Sequence, residues 1–332
     1  MNILLLLAHS IAEHDDLRMF ARLGYDVFSI GAFTDPSHPG DDKRPPLPDV
    51  PHHPELAALV PDQMAAKAHL PDEIIDWADV IIAHHYVDTW LYGQWDRIRH
   101  KRVIWRTCGQ SDPRLETQMG TLRRDGLQIV RYSPAERRYF EEAGIFAGED
   151  VMIRFGKDLD DWHGWTGEGE WVGNVTQDMA GRGEWCGLGF WNEATAGLSA
   201  RPAGPNSEAL PGGIGTLTYD GMRQYLRECR VYLYTGTVPA SYTLGLIEAM
   251  LTGTPVVAMG ASRWLAPPEL WEAGEIAVEF ANGPDRANAL LDLMLADHDH
   301  AYGIGVLGRK RARELFDVAK VGAQWVAFLG AP

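Results

Sequence analysis

Residues 230–259, with the sequence RVYLYTGTVPASYTLGLIEAMLTGTPVVAM, contain the most specific fold signal of this chain. Residues 231–234 form a short apolar and aromatic run, which predicts a buried strand of a parallel sheet. Small and turn-forming residues follow at 236–241 and predict a loop beyond the end of that strand. The loop leads into a helical pattern and then into a second strand, so the stretch predicts a strand, loop, helix and strand in succession.

The predicted helix has a start signal and a stop signal. Either Ser241 or Thr243 can cap its N-terminus, because a hydroxyl oxygen accepts a hydrogen bond from the first turn. Gly253 and Pro255 end the helix before the second strand, since glycine favours the position just after a helix and proline cannot continue one.

The start of this helix predicts an anion site. At the carboxyl edge of a parallel sheet, a helix N-terminus offers unsatisfied N–H groups and a partial positive charge, which suit a phosphate or a diphosphate. Glu248 lies about a turn and a half inside the predicted helix, where its carboxylate can accept both hydroxyls of a ribose.

The stretch resembles the donor-binding signature of the group-1 nucleotide-sugar glycosyltransferases, which have the GT-B fold. The resemblance lies in Glu248-Ala249-Met250, Gly253 and Pro255-Val256-Val257. It departs at Ala240, where the family usually has another glutamate that contacts the donor sugar. The resemblance implies an α/β chain of two Rossmann-like, doubly wound domains that face each other across a cleft.

Composition agrees with a globular protein of this size. The chain has 332 residues, of which 45% are hydrophobic and 23% charged, so we expect two domains and no membrane span. A net charge of −16 disfavours nonspecific attraction to nucleic acid or anionic lipid. Three scattered cysteines and the lack of a signal-peptide pattern predict a cytoplasmic protein.

The domain boundaries are predicted from the alternation of strand and helix patterns. Residues 1–155 are expected to form an N-terminal Rossmann-like domain on the acceptor side. The crossover segment at 153–159 resembles the family's passage between domains, which implies a donor domain at 156–315. The last residues, 316–332, are expected to form a helix that crosses back to the first domain.

The resemblance also implies further donor contacts. Gly173 and Asn174 stand where the family has a glycine and an arginine that contacts the diphosphate, and no lysine follows at the family's distance. Arg182 is the cation expected to bind the diphosphate, and the equal alternative is an ordinary loop arginine. The predicted donor-binding residues are Gly173, Asn174, Arg182, Tyr219, Ser241, Tyr242, Thr243, Leu244 and Glu248.

The acceptor side is expected on loops after the first-domain strands, near His9, Ser10, Glu13 and Asp16, near His84 and His85, and near Thr107, Cys108, Gly109 and Gln110. The predicted catalytic residues are Arg182 on the leaving group and, for an inverting reaction, Asp16 or His85 as general base. Two alternatives remain open. Asp16 can instead be a carboxylate at a helix start that interacts with the dipole, and His85 a polar residue satisfied at a strand end.

Other motifs are assigned no chemistry. Gly303, Gly305 and Gly308 spell GxGxxG, but a helical pattern precedes them where a dinucleotide site requires a strand, so we expect a helix junction. Adjacent histidines diverge on a strand and have no carboxylate partner at ligand spacing. We therefore predict no metal and no cofactor besides the sugar-nucleotide substrate.

Together these patterns predict a metal-independent glycosyltransferase that moves a sugar from a nucleoside diphosphate sugar to an unidentified hydroxyl. The acceptor is a small molecule, a glycan, a lipid or a modified nucleobase, and the resemblance implies retention of anomeric configuration. Two alternatives stay open: a sugar-nucleotide-binding protein without transferase activity, which Ala240 and Asn174 would explain, and a GT-B-type epimerase or phosphorylase.

Overall fold

A computed structural model describes residues 1–84, 87–109, 112–260 and 278–332 of the chain. It divides into two compact units. The first comprises Met1–Gly156 together with Val318–Pro332, and the second comprises Lys157–Asp317. Each unit contains one sheet whose paired strands are all parallel, and helices connect the strands. None of the helices in the described residues is long and apolar enough to span a membrane.

The first unit alternates strands and helices along the chain. Its strands are β1 (Asn2–Leu6), β2 (Asp26–Ile30), β3 (Val80–Ala83), β4 (Arg102–Arg106), β5 (Gln128–Arg131) and β6 (Val151–Met152). Its helices are α1 (Ser10–Arg22), α2 (Pro54–Ala57), α3 (Gln63–Ala68), α4 (Asp72–Trp77), α5 (Val87–Trp90), α6 (Trp95–Ile98), α7 (Pro113–Arg124), α8 (Pro134–Glu142) and, at the end of the chain, α15 (Val318–Leu329).

The strand order in this sheet is β2-β1-β3-β4-β5-β6. The chain winds outward from β1 to β2 on one side and from β3 onward on the other, so the direction of winding reverses between β1 and β3. In such sheets ligands bind in the crevice at the carboxyl ends of these two strands. The helix α15 packs on α1, where the ring centroids of Trp325 and Phe20 lie 5.3 Å apart.

The second unit repeats the plan. Its strands are β7 (Gly169–Val175), β8 (Ala200–Ala203), β9 (Cys229–Tyr234), β10 (Val256–Met259) and β11 (Glu279–Ala281). Its helices are α9 (Met179–Arg182), α10 (Leu188–Ala194), α11 (Tyr219–Glu228), α12 (Leu244–Thr252), α13 (Pro284–Ala296) and α14 (His298–Phe316). The strand order is β11-β10-β9-β7-β8, so the winding reverses between β7 and β9.

The predicted arrangement of residues 230–259 is confirmed. All six residues of β9 are buried, as expected for a central parallel strand. Thr243, rather than Ser241, is the N-cap of α12, and its side chain accepts a hydrogen bond from the N–H of Leu246. Gly253 ends the helix in the left-handed conformation at φ 93°.

Two sequence expectations about helices are wrong. The GxGxxG glycines lie within α14 rather than at a helix junction. A Cβ on Gly305 would lie 2.0 Å from the carbonyl oxygen of Gly253, so this glycine allows α14 to approach the end of α12 closely. The first helix begins at Ser10, which places Asp16 nearly two turns inside α1 and away from its start.

Candidate functional site

The second unit presents a helix N-terminus at the carboxyl end of its sheet. The helix α12 begins after β9, one of the two strands between which the winding reverses. The Thr243 carbonyl accepts from the N–H of Ile247, and the Thr243 hydroxyl accepts from Leu246. The N–H groups of Leu244 and Gly245 precede these and have no intrahelical acceptor, as at any helix start. They and the helix dipole form a site suited to an anion.

The loop before α12 is held by the segment that follows β7. The N–H of Val238 donates to the carbonyl of Trp185 at 2.8 Å, and the Cys186 sulfur lies 3.9 Å from the Thr237 hydroxyl. Burial raises the pKa of the Cys186 thiol, and the positive charge of Arg182 opposes that rise. Arg182 therefore acts on Cys186, and Cys186 in turn lies against Thr237 of the loop.

Glu248 is buried and ion-paired. Its side-chain oxygen Oε1 lies 2.5 Å from Nζ of Lys157, and the two side chains are 2% and 0% exposed. Glu248 was predicted from the sequence but Lys157 was not, because the family's lysine is expected after residue 174, whereas Lys157 lies in the crossover segment. Lys157 is thus a second cation to consider in this unit, and it is bonded directly to the predicted ribose-binding carboxylate.

The side chain of Asn174, near the end of β7, is hydrogen-bonded within the fold. Its side-chain amide donates to the carbonyl of Leu233 at 2.7 Å and to the hydroxyl of Thr235 at 3.4 Å. Its side-chain oxygen accepts from the hydroxyl of Thr176 at 2.6 Å, and its backbone N–H donates to the hydroxyl of Tyr225 at 2.9 Å. These bonds use the amide inside the fold and join β7 to β9, in contrast to the predicted contact with a diphosphate.

Gly173 has a packing role in the structure. A Cβ at this position would lie 2.6 Å from the sulfur of Cys229 and 2.8 Å from the hydroxyl of Tyr225. The glycine therefore lets the neighbouring strand and the helix α11 pack closely against β7. This packing explains the residue without a donor contact.

The remaining predicted donor residues lie around the same unit. Ser241 and Tyr242 are buried, and the Tyr242 ring packs at 5.4 Å against Phe316, so this tyrosine contributes to the protein core. Tyr219 is the first residue of α11 and is partly exposed. Its ring packs in a T-shaped arrangement against the ring of Trp162, and the two ring centroids lie 6.0 Å apart.

In the first unit, Asp16 forms a buried charge cluster with residues from two other elements. Its Oδ2 is bonded to the guanidinium of Arg106, at the end of β4, and lies 3.3 Å from Nε2 of His84, just after β3. All three side chains are at most 4% exposed. The hypothesis that Asp16 interacts with a helix start is wrong, because its partners are a cation and an imidazole across the sheet edge.

The cluster makes Asp16 a weak base. Burial raises the pKa of Asp16, but the charges and hydrogen bonds of Arg106 and His84 outweigh that effect and hold it below its ordinary value. Burial lowers the pKa of His84, and the charge of Arg106 adds to this effect, while Asp16 opposes it. The neutral imidazole and the ionised carboxylate are the favoured forms near neutral pH.

Glu13 holds the loop after β2. Its carboxylate accepts from the hydroxyl of Ser29 at 2.7 Å and from the N–H groups of Ala32 and Phe33 at 2.8 and 2.9 Å. Burial raises the pKa of Glu13 to about 6, against the lowering effect of these bonds. Through these hydrogen bonds Glu13 fixes the loop 31–33 at the carboxyl edge of the sheet.

Some predicted residues lie outside the described part of the chain. They are the catalytic candidate His85 and the acceptor-side Gln110. Cys108 is partly exposed, and its thiol donates to the carbonyl of His84 at 3.7 Å.

Comparison with solved structures identifies glycosyltransferases of similar fold. HepE from Anabaena in complex with UDP has a TM-score of 0.70 and 18% identity, over 100% of both chains. Sucrose-phosphate synthase from Thermosynechococcus elongatus has a TM-score of 0.69 and 15% identity, over 99% of this chain and 98% of that one. An α-glucosyltransferase in complex with UDP and a DNA 13-mer containing an HMU base has a TM-score of 0.59 and 10% identity, over 99% of both.

These comparisons establish the fold. The two parallel sheets and their helices match the neighbours over essentially the whole chain, so the α/β GT-B fold implied by the sequence resemblance is confirmed. No protein-family model matches the chain, and no curated protein sequence matches it either.

Proposed function

We propose that this protein is a glycosyltransferase that moves a sugar from a nucleoside diphosphate sugar to a hydroxyl acceptor. The observation that carries the proposal is the N-terminus of α12 at the winding reversal of the second sheet, with Glu248 on the second turn of the same helix. A diphosphate at Leu244 and Gly245 would lie one helical turn from a carboxylate that accepts ribose hydroxyls. The glycosyltransferases of similar fold that were solved with UDP support the proposal that this protein binds a nucleotide.

The proposed chemistry is electrostatic. The bond between the anomeric carbon and the diphosphate oxygen breaks, its electron pair stays with the diphosphate, and the acceptor oxygen bonds to the anomeric carbon. The N–H groups at the α12 start and the guanidinium of Arg182 stabilise the negative charge that develops on the leaving phosphate. Glu248 holds the ribose and so fixes the position of the phosphates that follow it.

We propose that the anomeric configuration is retained, with the departing phosphate taking the proton of the acceptor hydroxyl. An inverting reaction needs a general base whose pKa is close to the working pH. Asp16 does not fit this role, because Arg106 and His84 hold its pKa below the ordinary value. Identification of the anomer in the product distinguishes the two outcomes.

A binding protein without transferase activity is the second candidate. Asn174 favours it, because the residue in the family's arginine position is bonded within the fold rather than presented to a ligand. Release of sugar from a bound donor, even slowly and without an acceptor, argues for the transferase and against the binding protein.

The test is a screen of nucleotide sugars by thermal shift and by donor consumption. We expect one donor class to raise the melting temperature of the wild type and to be consumed. We expect Glu248→Gln to weaken that response, because the amide carries no charge and accepts fewer hydroxyl protons. Glu116→Gln is the matched control, since Glu116 is also a buried, ion-paired glutamate but lies in the first unit against Arg131. If no donor stabilises the wild type, or if both variants respond alike, the proposal is wrong.

A further inference from the structure

The buried ion pair of Lys157 and Glu248 joins the start of the second unit to the second turn of α12. Nζ of Lys157 lies 2.5 Å from Oε1 of Glu248, and neither side chain is more than 2% exposed. A buried carboxylate is unfavourable unless it has a hydrogen-bonded partner, and the ammonium group of Lys157 is such a partner for Glu248. The geometry therefore makes the orientation of the Glu248 carboxylate depend on Lys157.

Lys157 is itself fixed by its backbone. Its N–H donates to the carbonyl of Phe316 at 2.7 Å, and the residue forms a parallel bridge with Asp317 at the end of the same unit. Its ammonium group lies 6.0 Å from the ring centroid of Trp162. These contacts hold the cation at one place, in contrast to a surface lysine whose stem moves freely.

Glu248 is the fifth residue of α12, so it lies about 6 Å along the helix axis from Leu244. A nucleotide whose diphosphate binds at the helix start places its ribose in this direction. To accept both hydroxyls of the ribose, the carboxylate must keep one orientation, because each hydroxyl needs an acceptor site on it.

We infer that Lys157 is a positioning residue for nucleotide recognition: it holds the Glu248 carboxylate in the orientation that accepts the ribose 2′- and 3′-hydroxyls. The inference rests on the proposed function and adds to it a residue outside the signature helix. The loss of Lys157 should therefore abolish the tighter binding of nucleotides that carry ribose hydroxyls. The part of the binding affinity that comes from the diphosphate should remain.

The experiment compares two ligands on each protein variant by calorimetry. The first is whichever of UDP, ADP, GDP and CDP binds the wild type most tightly, and the second is its 2′,3′-dideoxy counterpart. For the wild type we expect the ribose form to bind about tenfold or more tightly, since hydrogen bonds to a charged group are strong. For Lys157→Met we expect the two affinities to agree within about twofold, within the scatter of such effects.

Two further variants separate positioning from stability. Lys157→Arg keeps the charge and should retain a ribose preference of about threefold or more, since a charged hydrogen bond remains. Arg230→Met removes another buried cation of the same unit, one that donates to the carbonyls of Gly167 and Leu295 from the start of β9. It should lower the melting temperature and keep the wild-type ribose preference. If Lys157→Met does not fold, Lys157→Gln replaces it, because glutamine is polar but uncharged and its side chain is one bond shorter than that of lysine, so it does not restore the ion pair.

The results distinguish a failure of the proposed function from a failure of the inference about Lys157. If no nucleoside diphosphate binds the wild type, the proposed function is wrong and the inference falls with it. If the wild type binds a nucleotide but Lys157→Met or Lys157→Gln keeps the full ribose preference, Lys157 does not position Glu248, whereas the proposed function survives. A wild type that binds both ligands equally also overturns the inference.

Discussion

The carboxylate of Asp16 is bonded to the guanidinium of Arg106 across the carboxyl edge of the first sheet, and both side chains are buried. The pair connects α1 to the end of β4. The Arg106 guanidinium also donates to the carbonyl of Arg154 at 3.2 Å and lies 4.7 Å from the ring centroid of Phe155. Arg106 therefore organises the segment where the first unit ends, as well as the charge of Asp16.

Removal of Arg106 should destabilise the protein strongly. Arg106→Met leaves the Asp16 carboxylate buried without its cation, which costs about 3–5 kcal/mol in comparable buried pairs. Adding Asp16→Ala should recover part of this loss, because the uncompensated charge is then gone. Chemical denaturation measures both variants. Arg99→Met, which removes an exposed pair with Asp96, should change the melting temperature little. Strictly additive losses for Arg106 and Asp16 would contradict this account.

Glu136 should make stability depend on pH. Burial raises the pKa of Glu136 to about 7, although Arg131 and Thr107 oppose that rise. Because the folded protein holds this proton more tightly than the unfolded chain does, the stabilisation is present below the ordinary pKa of 4.5 and is lost as the pH rises through about 7.

The Glu136→Gln variant should lack that pH dependence. The difference in unfolding free energy between the variant and the wild type should shift in favour of the variant from pH 4.5 to 7, by on the order of 2–3 kcal/mol. Urea titrations at a series of pH values measure it. A constant difference over this range would show that Glu136 does not titrate as described.

Two glycines of α14 should respond in opposite directions to the same substitution. Gly305→Ala should be destabilising by about 1–3 kcal/mol, because its Cβ would lie 2.0 Å from the carbonyl oxygen of Gly253 and the backbone must shift. Gly303→Ala should stabilise by about 0.5–1 kcal/mol, because nothing lies within 4 Å of its Cβ and alanine favours the helix. Thermal melts of the two variants test the close contact between α14 and the end of α12. Equal changes in melting temperature for the two variants would refute that contact.

The helix cap at Thr243 should affect both stability and nucleotide binding. Thr243→Ala removes the side-chain bond to Leu246 and should cost about 1 kcal/mol. Thr218→Ala removes the equivalent bond to Gly221 at the start of α11 and should cost a similar amount. Only the first variant should weaken nucleoside diphosphate binding, because only α12 starts at the proposed diphosphate site. Equal affinities for the two variants would argue against that site.

Local signals explain why residues 230–259 were predicted correctly. The apolar strand, the capping hydroxyl of Thr243, the left-handed Gly253 and the following proline all lie within one short window, and each reports on its own neighbourhood. The start of α1 was missed because the polar run Glu13-His14-Asp15-Asp16 interrupts the apolar pattern after Ile11 and Ala12, so the apolar periodicity became visible only near Asp16.

Long-range pairs explain what was missed. Lys157 lies 91 residues from Glu248, and Arg106 lies 90 residues from Asp16, so no periodicity connects the members of either pair. A charged residue inside an apolar run, as at Arg106 after Val103-Ile104-Trp105, was the available signal, because a buried cation requires a partner. The sequence does not specify which carboxylate that partner is.

A crystal structure with the nucleoside diphosphate that binds most tightly shows whether the start of α12 binds the diphosphate. We expect phosphate oxygens within about 3 Å of the N–H groups of Leu244 and Gly245 and the ribose hydroxyls within about 3 Å of Glu248. A nucleotide bound elsewhere, with the start of α12 untouched, would contradict this expectation.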